Sequence, residues 1–252
     1  MMRVELEKLE KLGYGKKEAF NSLRTNLSFC GAGIKVITFT SCTPDEGKSS
    51  VVIELGRSIA EDGKKVLILD ADLRKSVLVG RHHAKSKKGS IKGLSHFLSG
   101  QAALEDVLCE TNVNNLDMVF AGRTTPSPTE LLGNQYFDDI IAYARENYDV
   151  VLIDSPPLGS VIDTAIIAPK CDGAVLVVEA NKCSYRFVLD IKKQLEVTDC
   201  KILGVVLNKV KIEKGGYYNR YYKGYYKGYY SGYYKPYYGE EEKDSGSLGK
   251  GN

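Results

Sequence analysis

Gly47-Lys48-Ser49 closes a short loop behind a β-branched and aromatic run, Val36 to Thr40, and a helix can start directly from it. Strand, loop, Gly-Lys-Ser and helix is the order that a phosphate-binding loop requires. The segment Thr43, Pro44, Asp45, Glu46, Gly47, Lys48, Ser49, Ser50 would turn backbone amides and a helix N-terminus toward an anion. Lys48 adds a mobile positive charge for the β- and γ-phosphates, and the Ser49 hydroxyl is placed to ligate Mg²⁺. The usual first glycine is absent, because Cys42 sits five residues before Gly47.

Two further segments carry acids at the ends of apolar runs. Lys65 to Asp70 (KVLILD) leads straight into Asp70-Ala71-Asp72-Leu73-Arg74, and Val150 to Ile153 ends in Asp154. Phosphoryl transfer asks a protein to hold the phosphates, place Mg²⁺ and orient a nucleophile in line. Ser49 and Asp154 would hold the metal directly or through water. Of Asp70 and Asp72, one can accept a hydroxyl proton from the attacking group and the other can support the metal's water shell. One aspartate at a strand end is commonly a turn or cap residue. Three of them beside a Gly-Lys-Ser loop make a nucleotide site, with ATP and Mg²⁺ as its ligands.

The third chemical feature is a run of paired tyrosines: Tyr217, Tyr218, Tyr221, Tyr222, Tyr225, Tyr226, Tyr229, Tyr230, Tyr233, Tyr234, Tyr237 and Tyr238, twelve of the chain's 17. Aromatic low complexity has three accounts: a condensate-forming tail, an aromatic nucleic-acid platform with interleaved lysine, or a cluster of acceptor hydroxyls. Beside a phosphoryl-transfer site the third is preferred, as an autophosphorylation tail. The glycines and lysines between the pairs are expected to keep it disordered, so that one protomer's tail reaches a neighbour's site. The expected organisation is a catalytic domain over residues 1–212 and a flexible tail over 213–252.

These residues must be positioned by alternating elements. Phe20, Leu23 and Leu27 give one apolar face to a helix over Lys16 to Phe29. Strands are expected at Val36 to Thr40, Lys65 to Asp70, Leu116 to Ala121, Val150 to Ile153, Gly173 to Val178 and Ile202 to Leu207. Helices are expected over Ser49 to Glu61, Leu94 to Phe97, Ala103 to Leu108, Gln135 to Glu146, Asp163 to Ala168 and Tyr185 to Glu196. Met1 to Lys17 reads as charged and amphipathic, and Lys75 to Gly93 as a mobile basic loop. Thr129, in a Pro-punctuated stretch, is expected to cap a following helix. Continuously apolar strands between helices imply an α/β fold with a mostly parallel central sheet covered on both faces. Ligands of such sheets sit at the carboxyl ends of the strands, where the loop, Asp70 and Asp154 all fall.

Composition excludes several other classes. Lysine plus arginine number 35 against 32 acids, and the net charge of +3 makes no case for nucleic acid. The opening residues lack the apolar core of a signal peptide, and no stretch approaches a membrane span of roughly 20 apolar residues. The six cysteines are scattered without a C-x-x-C pair and read as reduced thiols of a cytoplasmic protein.

The trio TPDEGKS, LILDADLR and VVLIDSPP resembles the bacterial tyrosine kinases (BY-kinases) that regulate capsule and exopolysaccharide synthesis, over nearly the whole chain. The family's D-x-D-x-R segment is matched by Asp70, Asp72 and Arg74. The resemblance implies a P-loop NTPase fold like that of MinD and ParA, with Asp70 as base for the substrate tyrosine and Asp72 assisting. Asn208 falls where related ATPases contact adenine. The family's ring-forming helix carries E-x-x-R-x-x-R, and this chain has Glu18, Asn21 and Arg24, so Glu18 and Arg24 are the expected oligomer contacts. Implied partners are a membrane activator of the polysaccharide system that recruits the protein to the inner face of the membrane, further copies of the chain in a ring, and a tyrosine phosphatase. Two other classes remain: a MinD/ParA-like ATPase switch, and a scaffold with a degenerate site. Ser41-Cys42-Thr43, where those ATPases carry a signature lysine, counts against the first. Intact Lys48, Ser49 and three acids count against the second.

Overall fold

The computed structural model describes residues 1–86 and 89–210. The tyrosine cluster and the end of the chain lie outside the described residues. The first compact unit runs from Met1 to Lys209.

Its backbone is one nine-stranded sheet. The strands are β1 (Met2–Leu6), β2 (Val36–Ser41), β3 (Val66–Asp70), β4 (Ala84–Ser86), β5 (Cys109–Thr111), β6 (Leu116–Val119), β7 (Val150–Asp154), β8 (Gly173–Glu179) and β9 (Ile202–Asn208). Their spatial order is β4-β1-β5-β6-β3-β7-β2-β8-β9. From β6 to β9 every neighbouring pair is parallel, and antiparallel pairing is confined to β1·β4 and β5·β6. The helices are α1 (Tyr14–Ser28), α2 (Lys48–Glu61), α3 (Leu78–His82), α4 (Leu94–Leu98), α5 (Leu104–Val107), α6 (Pro128–Leu132), α7 (Gln135–Asn147), α8 (Asp163–Ile167) and α9 (Tyr185–Glu196).

The central strands are apolar throughout because both faces of the sheet are covered. Alternate side chains of β3 go to opposite layers. Leu67 and Leu69 pack among Phe137, Ile140 and Ala144 of α7, while Val66 and Ile68 pack among Val52, Leu55 and Ile59 of α2. The mostly parallel α/β fold expected from the sequence is the fold observed.

Three differences concern the rim. Residues 2–6 form a strand whose Val4 and Leu6 are buried, a five-residue alternation too short to stand out within a charged stretch. The basic run 75–93 contains α3 and β4, and Leu78 inside it is fully buried. Residues 109–111 add β5. These pieces stabilise one another: β1 pairs with β4 and β5, which come some 80 to 100 residues later, so no local pattern announces them.

The entry to β2, which aims the phosphate loop, is held by Asp172. Its Oδ2 accepts from the amides of Lys35 (2.9 Å) and Val36 (2.7 Å) and from Arg145 Nη1 (2.9 Å). Partial burial pushes this carboxyl up, but the hydrogen bonds from Arg145, Val36 and Lys35 outweigh it and hold the group below its ordinary 3.8. A depressed acid stabilises the fold above its unfolded pKa and loses that contribution as pH falls through the folded one. Asp172→Ala strands the Lys35 and Val36 amides and should lower stability by about 1–3 kcal/mol at neutral pH in urea unfolding. Wild-type and mutant midpoints that coincide would remove Asp172 from the account of how β2 is set.

Candidate active site

The loop after β2 is built around Gly47, which takes φ +86° immediately before α2. A Cβ there would stand 2.2 Å from Asn208 Nδ2, so glycine is required by both conformation and proximity. Asn208, at the end of β9, donates from Nδ2 to the Glu46 carbonyl at 2.8 Å. Glu46 turns its buried carboxylate inward, and Oε2 accepts the amides of Cys42 (2.7 Å) and Thr43 (3.0 Å). The missing first glycine is thereby answered: Cys42 is fully buried, and the loop is braced by a side chain of its own.

Parallel pairing of β3 with β7 sets Asp70 directly opposite Asp154. Both are buried, at 0% and 1% exposure. Lys48 Nζ, itself almost buried, donates to Asp154 Oδ1. Two facing carboxylates thus share one ammonium group, which leaves one buried negative charge uncompensated. Burial first, and the facing Asp154 second, push Asp70 up to about 7. The exposed Ser76 hydroxyl donates to Asp70 Oδ2, and the Asp72 amide to Oδ1 at 3.3 Å. Such a donor set, oxygen-only and anionic, suits a hard divalent cation such as Mg²⁺.

The cavity above this cluster is lined by Asp45, Glu46, Gly47, Lys48 and Ser49 of the loop, by Asp72, Arg74 and Lys75, and by Pro156 and Pro157. The structure therefore brings the loop, Asp72 and the buried pair Asp70–Asp154 together, as their spacing requires. Thr43, Ser50 and Asn208 do not line it, and Asp70 and Asp154 are buried without lining it. Ser50 Oγ accepts from Arg81 Nη1 at 2.7 Å, and Arg81 reaches the cavity in its place. Arg81 lies in the basic run, on α3, which buries Leu78 and His82.

Two positions have roles that the sequence reading did not assign. Asp163, fully buried at the start of α8, takes the Arg74 fork: Nε to Oδ2 at 2.7 Å and Nη2 to Oδ1 at 2.9 Å. Thr129 Oγ1 donates to the same Oδ1 at 2.8 Å. Thr129 is thus no helix cap. It lies inside α6, which starts with Pro128 behind Ser127, and its hydroxyl is spent on Asp163. The cluster moors the segment that carries Asp72 to α6 and α8. Only the Arg in D-x-D-x-R hinted at a buried anionic partner.

At the other end, Arg24 donates from Nη1 to the Ser58 carbonyl at 2.7 Å and approaches Asp62 at 3.5 Å, both on the neighbouring α2 segment. Glu18 accepts from Asn21 Nδ2 at 3.1 Å, and Asn21 in turn accepts from Ser58 Oγ at 3.2 Å. Both expected oligomer contacts therefore have partners within the chain.

Residues 34–202 match the AAA domain family. The chain is 44% identical over 212 residues to tyrosine-protein kinase CpsD of Streptococcus agalactiae, which spans 83% of this chain and 91% of that one. It is 33% identical over 206 residues to tyrosine-protein kinase YwqD of Bacillus subtilis, 80% and 85% of the two chains. The kinase domain of the Escherichia coli tyrosine kinase ETK superposes with a TM-score of 0.75 at 27% identity, covering 83% of this chain and 84% of that domain.

Asp163→Ala removes the acceptor of three hydrogen bonds from a fully buried position. The loss should be about 1–2 kcal/mol, reduced from the buried value because Arg74 is partly solvated. Urea unfolding measures it. An unchanged midpoint would show that Arg74 and Thr129 find equal partners elsewhere.

Proposed function

The chain belongs to the bacterial tyrosine-protein kinases, and from that premise we propose that it uses ATP and Mg²⁺ to phosphorylate its own tyrosine cluster in trans and so regulates capsule or exopolysaccharide synthesis. The observation that carries this reading is the buried Asp70–Asp154 pair held with Lys48 below the loop cavity. The loop amides and Lys48 would hold the phosphates, and Ser49, Asp72 and Asp154 would hold Mg²⁺. A metal held by those residues would supply charge neutralisation for the phosphoryl group. Asp70 is the proposed base. A pKa raised to about 7 would let it take a phenolic proton near neutral pH and pass it to solvent after transfer. Ser76 already donates a hydroxyl to Asp70 Oδ2, the position an acceptor tyrosine would need. Asp72, which lines the cavity, would assist.

The acceptors proposed are Tyr217 to Tyr238, reached on a neighbouring copy of the chain. Assembly through α1 is part of the same reading. It requires Glu18 and Arg24 to exchange their intrachain partners for interchain ones. No helix among the described residues is long and apolar enough to cross a membrane, so a membrane activator with a cytosolic segment is the proposed recruiter. A tyrosine phosphatase would reset the tail. A switch without tyrosine transfer is disfavoured by Ser41-Cys42-Thr43, where such ATPases carry a signature lysine, and by the tyrosine cluster.

Lys48→Met removes the phosphate-facing ammonium and should lower tail phosphorylation by about 10²-fold or more while the far-ultraviolet spectrum stays native. Phosphotyrosine blotting after incubation with Mg-ATP reads it. A folded mutant with the wild-type rate would sink the site assignment.

Asp70 also fixes a pH dependence. Transfer needs it ionised, so the rate should rise with pH and level off above about 7. Stability runs the other way. The folded state holds this proton more tightly than the unfolded chain, whose value is near 3.8, so ionising it between those values costs stability. Asp70→Asn should abolish transfer, retain nucleotide binding, and flatten that part of the stability curve. A mutant with wild-type slopes in both profiles would show that another group titrates.

A further inference from the structure

Behind the phosphate loop, two thiols without a role in the nucleotide site meet the carboxylate that braces the loop. Cys42 follows β2 and is fully buried. Glu46 is anchored through Oε2 alone, on the amides of Cys42 and Thr43, which leaves Oε1 free to face Cys183 Sγ at 3.2 Å. Cys183 lies in the turn between β8 and α9 and is half-buried, so this side of the cluster is open to solvent. One ligand atom from each of the three residues, two sulfurs and an oxygen, lies within 4.8 Å of the others.

That spacing is close to what a tetrahedral cation needs. With Zn–S near 2.3 Å and Zn–O near 2.1 Å, ligand atoms stand about 3.5–3.8 Å apart, so the widest pair has to close by about 1.0–1.3 Å and the Glu46–Cys183 pair, at 3.2 Å, has to open slightly. We propose that Cys42, Glu46 and Cys183 form a binding site for a thiophilic divalent cation of the Zn²⁺ type, which ties the phosphate loop to the turn after β8. Three protein ligands leave a fourth position for water on the open Cys183 side. Mg²⁺ does not compete, because a hard cation does not choose thiolates.

The charge balance is closed. Zn²⁺ takes two thiolates and one carboxylate, and the Cys42 and Cys183 protons pass to solvent. The cluster carries one negative charge before binding and one after it. Lys182 sits beside Cys183 with its Nζ on the Pro44 carbonyl at 2.6 Å, and Lys209 pairs with Glu179 at 3.0 Å, so cations border the loop. Burial, then Glu46, push the Cys42 thiol up to about 12, and burial and Glu46 raise Cys183 as well. The metal must therefore displace two firmly held protons, and affinity should rise steeply with pH.

The test uses the full chain, stripped of metal and kept reduced with a phosphine so that no Cys42–Cys183 disulfide forms. Equilibrium dialysis against Zn²⁺ should give one ion per chain, with affinity at least about ten-fold weaker in Cys183→Ser and unchanged in Cys30→Ser. Zn²⁺ should raise the thermal midpoint of wild type and not that of Cys183→Ser. Should Cys183→Ser fold poorly, Co²⁺ added to wild type decides, because thiolate ligation gives a charge-transfer band. Wild type that takes up no Zn²⁺, equal affinity in Cys183→Ser, or Co²⁺ bound without that band would each overturn the proposal.

Discussion

Two carboxylates face each other at the carboxyl ends of β3 and β7, with one lysine between water and the core to balance them. In a low-dielectric interior, like charges at neighbouring positions cannot both ionise freely. Asp70 meets that constraint by binding its proton up to about pH 7. The rest of the site serves this cluster. The phosphate loop delivers Lys48 to it, Ser76 covers Asp70, and Asp72 continues from it into the cavity. The same constraint would be relieved by a bound cation, and it is the origin of the raised Asp70 pKa on which the proposed base role rests.

Beside the cluster, buried hydroxyls join β2 and α8 to the end of β7. Thr40 and Thr164 both donate to the Pro156 carbonyl, at 2.8 and 2.6 Å, and Ser155 Oγ donates to the Phe39 carbonyl at 2.8 Å. Buried hydroxyls of β2 and α8 thus satisfy the backbone where β7 gives way to its Pro-rich loop. Asp163, next to Thr164, holds Arg74. Strand ends, loop and the D-x-D-x-R segment are therefore one hydrogen-bonded unit, and a shift in α8 would be felt at Asp72.

The helix that precedes the loop shows how a changed motif is accommodated. Where the related pattern has a middle arginine, Asn21 bridges Glu18 and Ser58, and Arg24 reaches the end of α2. α1 is therefore bound to the helix that begins at Lys48. Any interchain contact made by α1 acts on an element two steps from the phosphates.

Local pattern by itself determined much of this protein. Glycine before Lys48-Ser49, apolar runs ending in Asp70 and Asp154, and helices with one apolar face are properties of neighbouring residues, and they appear where the sequence put them. The resemblance carried by the same three segments named the right family. Tertiary structure alone decided the rest, because the partners are far apart in the chain. β1 is a strand only because β4 and β5 come to flank it. Thr129 and Asp163 are 34 residues apart and look like an ordinary cap and the first residue of an ordinary helix until α6 meets α8. Asp70 and Asp154 are each legible as acids, but that they face each other, and that one must keep its proton, follows from the register of two strands about 80 residues apart. Cys42 and Cys183 read as scattered thiols for the same reason: only the sheet, by placing β8 beside β2, brings them to one carboxylate.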